Sequence, residues 1–230
     1  MDDTQILHRD DLPLGGFAGL REHRVVVDPR AFGPQPSGGA WRGIGNLVYL
    51  ADARFVPHGE TRLHPHRDID VISVVVEGRI AHEGSLGDGH PLSAPDVQVQ
   101  RAGGEGFTHN EINPDAVENR MIQLWVLPEA PNEPASYHVY RPAQGSQTRV
   151  YGGPTSQTQT LPAKTALDIA QPRAGETVSV EGPYLAYLTK GSGVLADGSA
   201  VADGDLIRGE NLRFEARHDA QLVVGTVATT

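Results

Sequence analysis

Two pairs of potential metal ligands, each pair spaced by one residue, constrain this chain more than any other feature. They are His64-Pro65-His66 and His109-Asn110-Glu111. In an extended strand residues i and i+2 point to the same side, so His64 and His66 face one way together, as do His109 and Glu111. If the two strands meet, four ligands converge on one point and form a metal site. The chemistry therefore predicts a β scaffold in which two sequence-distant strands lie side by side.

The rest of the chain agrees with that demand. Asp70 to Val76 carries Val71, Ile72, Val74, Val75 and Val76, a run that suits a strand buried on both faces. Leu47 to Leu50, Ala53 to Val56, Arg79 to His82, Val97 to Gln100 and Arg120 to Leu127 read as further strands, with clean alternation over Val97–Gln100. Gly84 to Gly89 reads as a hairpin turn, and Ala102 to Gly106 as the glycine-rich turn that delivers His109. Short strands recurring at roughly ten-residue intervals are the pattern of a sandwich or barrel. With 27 Gly and 17 Pro among 230 residues, tight turns are plentiful and helix-forming runs are few.

Composition removes several classes of function. Cysteine is absent, so disulfides, thiolate metal sites and cysteine nucleophiles are excluded, and any metal must be held by His, Asp or Glu. The net charge of −10 repels phosphate backbones, which argues against direct nucleic-acid binding. No apolar run approaches the roughly 18 residues needed to span a bilayer. The acidic start Met1-Asp2-Asp3-Thr4 lacks the apolar core of a signal peptide, so a cytoplasmic location is expected.

Pro128 to Pro134, with three prolines and two glutamates, reads as a linker. It divides the chain into an expected first domain, 1–130, and a second, 136–230. The halves form a degenerate repeat. Val74-Val75-Val76-Glu77-Gly78 parallels Tyr187-Leu188-Thr189-Lys190-Gly191, and Ala94-Pro95-Asp96-Val97 parallels Ala202-Asp203-Gly204-Asp205-Leu206. The second half has no His-x-His, so only the first can carry this kind of site.

These residues resemble a known family. Gly59, His64, His66, Asp70 and Gly78 approximate the first cupin motif, and Gly106, His109 and Asn113 the end of the second. More narrowly, His64-Pro65-His66-Arg67, Glu77-Gly78, His82 with Ser85 and Gly87, His109-x-Glu111 and Gln123-Leu124-Trp125 resemble the pirins. The resemblance is dense over 59–128. It implies an all-β bicupin of two tandem jelly-roll barrels, with one divalent transition metal in the N-terminal barrel held by His64, His66, His109 and Glu111. Fe(II) is the first expectation for that metal, with Mn, Co, Ni, Cu or Zn as alternatives. The implied activity is that of quercetin 2,3-dioxygenase, in which a small phenolic substrate and O₂ meet at the metal and Glu111 is both ligand and catalytic base. The alternative is an iron-dependent regulatory protein acting through protein contacts. The sequence departs from the family at Asp70, where Glu is usual, at Asn110, where Ser is common, and in its first 40 residues. These lack the aromatic-rich opening that would help wall the pocket.

Other residues receive plainer expectations. Asp70 is a second carboxylate that could replace Glu111 as the acidic ligand, as in ordinary cupins, and otherwise a strand-end acid. His58 is expected in an exposed turn, His82 in a hydrogen-bonded structural role, Asn113 as a turn former, Arg67 in a salt bridge and Trp125 in the core. Gly103 to Gly106 lacks the lysine and following helix of a phosphate loop and is expected to be a hairpin turn.

Overall fold

The computed structural model describes residues 4–34, 38–86 and 91–228. The turn expected over Gly84–Gly89 and the start of the chain therefore lie partly outside the described residues. The chain forms two compact units, Leu12–Arg141 and Met1–Asp11 together with Pro142–Thr230.

The strands in chain order begin with β1 (Gln5–His8), β2 (Leu14–Phe17), β3 (Leu20–Val27), β4 (Leu47–Phe55) and β5 (His64–His66). They continue with β6 (Asp70–Glu77), β7 (Arg79–Gly84), β8 (Leu92–Ser93), β9 (Val97–Arg101), β10 (Phe107–Ile112), β11 (Arg120–Val126) and β12 (Ser136–Tyr140). A one-turn helix α1 (Pro29–Phe32) follows β3; its cap is Asp28, whose carboxylate accepts from the Arg30 amide.

In the Leu12–Arg141 unit, a seven-stranded sheet runs in the order β12-β9-β6-β11-β4-β3-β2 and a four-stranded sheet in the order β5-β10-β7-β8. The two sheets share a core. Ile80 and Leu92 of the smaller sheet cluster with Ala53, Phe55, Val75 and Met121 of the larger. β6 lies mid-sheet and is buried from Asp70 to Val76, as its apolar run predicts. Gly78 closes it at φ 73, a conformation that favours glycine, and an added Cβ would meet Asn119 at 3.0 Å.

The second unit is one eight-stranded sheet. Its strands are β13 (Gln147–Gly153), β14 (Ala163–Ala170), β15 (Thr177–Lys190), β16 (Ser192–Leu195), β17 (Ala200–Ala202), β18 (Asp205–Ala216) and β19 (Gln221–Val227). They run in the order β13-β14-β19-β15-β18-β16-β17, with β1 also paired to β18. The first pair of paralleled motifs occupies matching places: Gly191, φ 86, follows the end of β15 at Lys190 as Gly78 follows the end of β6 at Glu77. The core of this unit is apolar, with Tyr184, Leu188, Ile207, Phe214 and Leu222 at its centre.

The observed units depart from the expected 1–130 and 136–230 at both boundaries. β1 pairs antiparallel with β18, Gln5 opposite Arg208, so the first eleven residues belong with the C-terminal unit. The proline-rich stretch is not a linker, because the chain after it returns as β12 to the edge of the first large sheet, Tyr137 opposite Gln100. Glu133 in that stretch pairs with Arg101 at 2.8 Å.

Candidate metal centre

The two ligand-bearing stretches are neighbouring strands. β5 pairs antiparallel with β10, setting His64 opposite His109 and His66 opposite Phe107. On its other side β10 pairs with β7, setting Glu111 opposite His82. The three imidazoles converge: His109 Nε2 lies 3.1 Å from His66 Nε2 and 3.1 Å from His64 Nε2. Among the described residues this is the one cluster of three or more metal-binding groups.

The chemistry of the three rings fits a cation. Nδ1 of His64 lies 2.8 Å from the Arg62 carbonyl, which can only accept, so the neutral ring keeps its lone pair on Nε2. Burial, and then the His64 charge, pushes His66 down to about 4. Burial, and then the His66 charge, pushes His109 down to about 2. Both rings are therefore neutral near pH 7. Lone pairs crowded at 3.1 Å repel one another unless a cation lies between them. Three nitrogens each about 2.1 Å from one ion, at right angles, stand about 3.0 Å apart. The two observed separations suit nitrogens held by one such ion.

Glu111 shares the face of His109 but is not part of the imidazole cluster. It is wholly buried and held by three side chains of the opposite sheet. Ser73 Oγ donates to Oε1 at 2.6 Å, Gln98 Nε2 to Oε1 at 2.6 Å, and Gln123 Nε2 to Oε2 at 3.1 Å. Burial pushes its pKa up, against the opposing effect of these donors and of His64. The three donors form a transverse row, for Ser73 pairs with Gln98 on β9 and with Gln123 on β11. Sequence reasoning missed this row as a functional group. The available signal was Ser73, polar within an otherwise apolar run; Gln98 looked like an ordinary solvent-facing residue of an alternating strand, yet it is 0% exposed.

Asp70 is not available as a ligand in place of Glu111. It is fully buried in a two-pronged ion pair with Arg101, Nη2 to Oδ2 at 3.0 Å, and so acts as a strand-end structural acid. His82 meets its structural expectation, buried with Nε2 2.7 Å from Gln100 Nε2, and its ring also stands 5.6 Å from His109. Asn113 is a turn former: it donates to the carbonyls of Val56 and Val117 and accepts from the Asp115 amide. His58 is exposed at φ 57. Arg67 is exposed too. Gly103 and Gly106 adopt the positive φ of the expected turn.

Trp125 departs from a simple core role. It is partly exposed and its ring stands edge-on to His66 at 5.5 Å. Phe32 stacks on it at 5.5 Å and Tyr49 tilts against it at 4.7 Å. An aromatic wall is thus formed by Phe32 of α1, which itself lies within the first 40 residues, together with Tyr49 of β4 and Trp125 of β11. With Phe107 and Val71 it gives the centre an apolar flank.

Gly84 sets how closely β7 approaches β10. A Cβ there would stand 2.3 Å from the Thr108 carbonyl oxygen and 2.9 Å from His109 Cα. Gly84→Ala should force β10 outward, costing about 1–3 kcal/mol as overpacking does, and carry His109 with it. The check is the melting temperature together with metal content; an unchanged metal content would show that the strand absorbs the methyl group without moving the ring.

The chain is similar to several known proteins. Residues 46–126 match the family model of Pirin. The chain is 28% identical over 197 residues to a pirin-like protein of Caulobacter vibrioides, covering 78% of this chain and 82% of that one. It is 36% identical over 67 residues to quercetin 2,3-dioxygenase of Escherichia coli, 29% of each chain. The nickel(II) complex of the E. coli bacterial pirin YhhW shares its fold, with a TM-score of 0.82 at 18% identity over 99% of this chain and 100% of the other.

Proposed function

We propose, from the match of residues 46–126 to the Pirin family model, that the chain is a metal-dependent dioxygenase of the quercetin 2,3-dioxygenase type, opening the ring of a flavonol or similar phenol with O₂. The observation that carries this reading is the convergence of three imidazole nitrogens beside a buried carboxylate and an aromatic flank. His64, His66 and His109 would hold one divalent transition ion, Fe(II) first, with Glu111 as the acidic ligand. When bound, the ion would lower the pKa of a substrate hydroxyl and orient the reactants. The remaining work belongs to the protein. Trp125, Phe107 and Phe32 offer flat apolar surface for a phenolic ring. Glu111 accepts the proton of the hydroxyl; burial raises its basicity while three donors keep its carboxylate in place. In the overall reaction both atoms of O₂ enter the ring-opened ester, and one ring carbon leaves as carbon monoxide.

The test is aerobic incubation with quercetin of protein loaded separately with Fe(II), Mn, Co, Ni and Cu(II). Loss of the flavonol absorbance band with release of carbon monoxide is the expected result, and Glu111→Gln should lower kcat at least tenfold. Absence of bleaching with every metal would overturn the enzymatic reading. Iron-dependent capture of a protein partner would then favour a regulatory role.

A further inference from the structure

Ser73, Gln98 and Gln123 come from three adjacent strands of one sheet, at directly paired positions, and reach across to a residue of the other sheet. Gln98 serves twice, donating also to Ser73 Oγ at 3.1 Å. An amide can present either its oxygen or its nitrogen, and here its orientation is fixed from behind. Tyr137 Oη donates to Gln98 Oε1 at 3.2 Å, leaving the NH₂ end to face Glu111. Tyr137 arrives on β12, the strand that follows the proline-rich stretch.

The distribution of donors over the two carboxylate oxygens is unequal. Oε1 takes two contacts of 2.6 Å, while Oε2 takes one of 3.1 Å. A carboxylate oxygen has two lone-pair sites, so Oε1 is saturated and Oε2 retains capacity. We propose that Ser73, Gln98 and Gln123, with Tyr137 behind Gln98, are positioning residues that fix the rotamer of Glu111 and leave Oε2 as its single working oxygen toward the ion. The inference rests on the metal-site reading above, but not on flavonol being the substrate. It gives the sequence-distant β12 a part in the centre although β12 contributes no ligand.

Cobalt(II) is a suitable probe, because its affinity and visible d–d spectrum both respond to loss or displacement of an oxygen ligand, and neither requires turnover. Glu111→Gln should weaken Co(II) binding and change the spectrum, setting the full effect. Gln98→Leu and Ser73→Ala should each follow in the same direction, by about the 10–100-fold typical of partners that orient a metal ligand. Tyr137→Phe removes one hydroxyl from a half-buried ring and keeps the fold. It should shift the spectrum the same way by a smaller step. With flavonol, the positioning variants should lose kcat while KM stays within about twofold, the pattern of an interaction made in the transition state. The proposal is overturned if Tyr137→Phe and Gln98→Leu, both folded, keep wild-type Co(II) affinity and spectrum while Glu111→Gln changes them. It is overturned equally if Glu111→Gln itself changes neither. Wild-type protein that binds Co(II) without consuming flavonol removes only the substrate assignment and leaves the Co(II) comparison decisive.

Discussion

Replacing His109 with alanine should strip the chain of its metal. His109 is the common member of the imidazole cluster, 3.1 Å from each of the other two rings, and it is fully buried. Losing a residue that merely orients a ligand costs about 10–100-fold in metal affinity, and losing this ligand should cost more. Metal content of protein purified without chelators, followed by Ni(II) and Co(II) titration, measures the effect. The fold should survive. Nδ1 of His109 has no hydrogen-bond partner among the described residues, so removing the ring leaves no orphaned partner behind. Wild-type affinity in His109→Ala would mean that the ion is held elsewhere.

Asp52→Ala should strongly destabilise the same unit. Asp52 on β4 accepts from Arg120 Nε on β11 at 2.8 Å, and the two side chains are only 2% and 1% exposed. Among the described residues Arg120 is the largest fully buried side chain. Its next carboxylate, Glu77, stands 3.8 Å away and is half exposed. Breaking a buried pair by removing one partner costs about 3–5 kcal/mol, because the remaining charge is left in a medium that solvates it poorly. Denaturant unfolding followed by tryptophan emission measures this directly. Both tryptophans, Trp41 and Trp125, lie in the Leu12–Arg141 unit, so the signal reads that unit without the other. A loss under about 1 kcal/mol would show that the pair is compensated locally.

The features legible in the sequence are those written at short range. The apolar run of β6, the His-x-His of β5, the His-x-Glu of β10 and the glycine after β6 are each written within a few residues, and each falls on the strand or turn that its pattern predicts. What escaped depends on register between distant strands. Asp70 looks like a free carboxylate until Arg101 is brought beside it on the paired strand β9. Gln98 and Gln123 look like the solvent face of half-buried strands, because alternation identifies two faces without saying that the polar one also points inward. The proline-rich stretch has linker composition, but composition does not reveal that β12 beyond it completes the first large sheet. The aromatic flank likewise draws on Phe32, Tyr49 and Trp125, which only the fold brings together.

The pairing of β1 with β18 bears on how the chain is made. Gln5 must wait for Arg208, nearly the whole length of the polypeptide, before its strand has a partner. The barrel with the imidazole cluster is one uninterrupted stretch, Leu12–Arg141, and all its strands have left the ribosome while β1 is still unpaired. It is the outer unit, begun first, that must close last. Trimming the first eleven residues would therefore remove a strand from the barrel at the opposite end of the sequence and none from the one that carries the histidines.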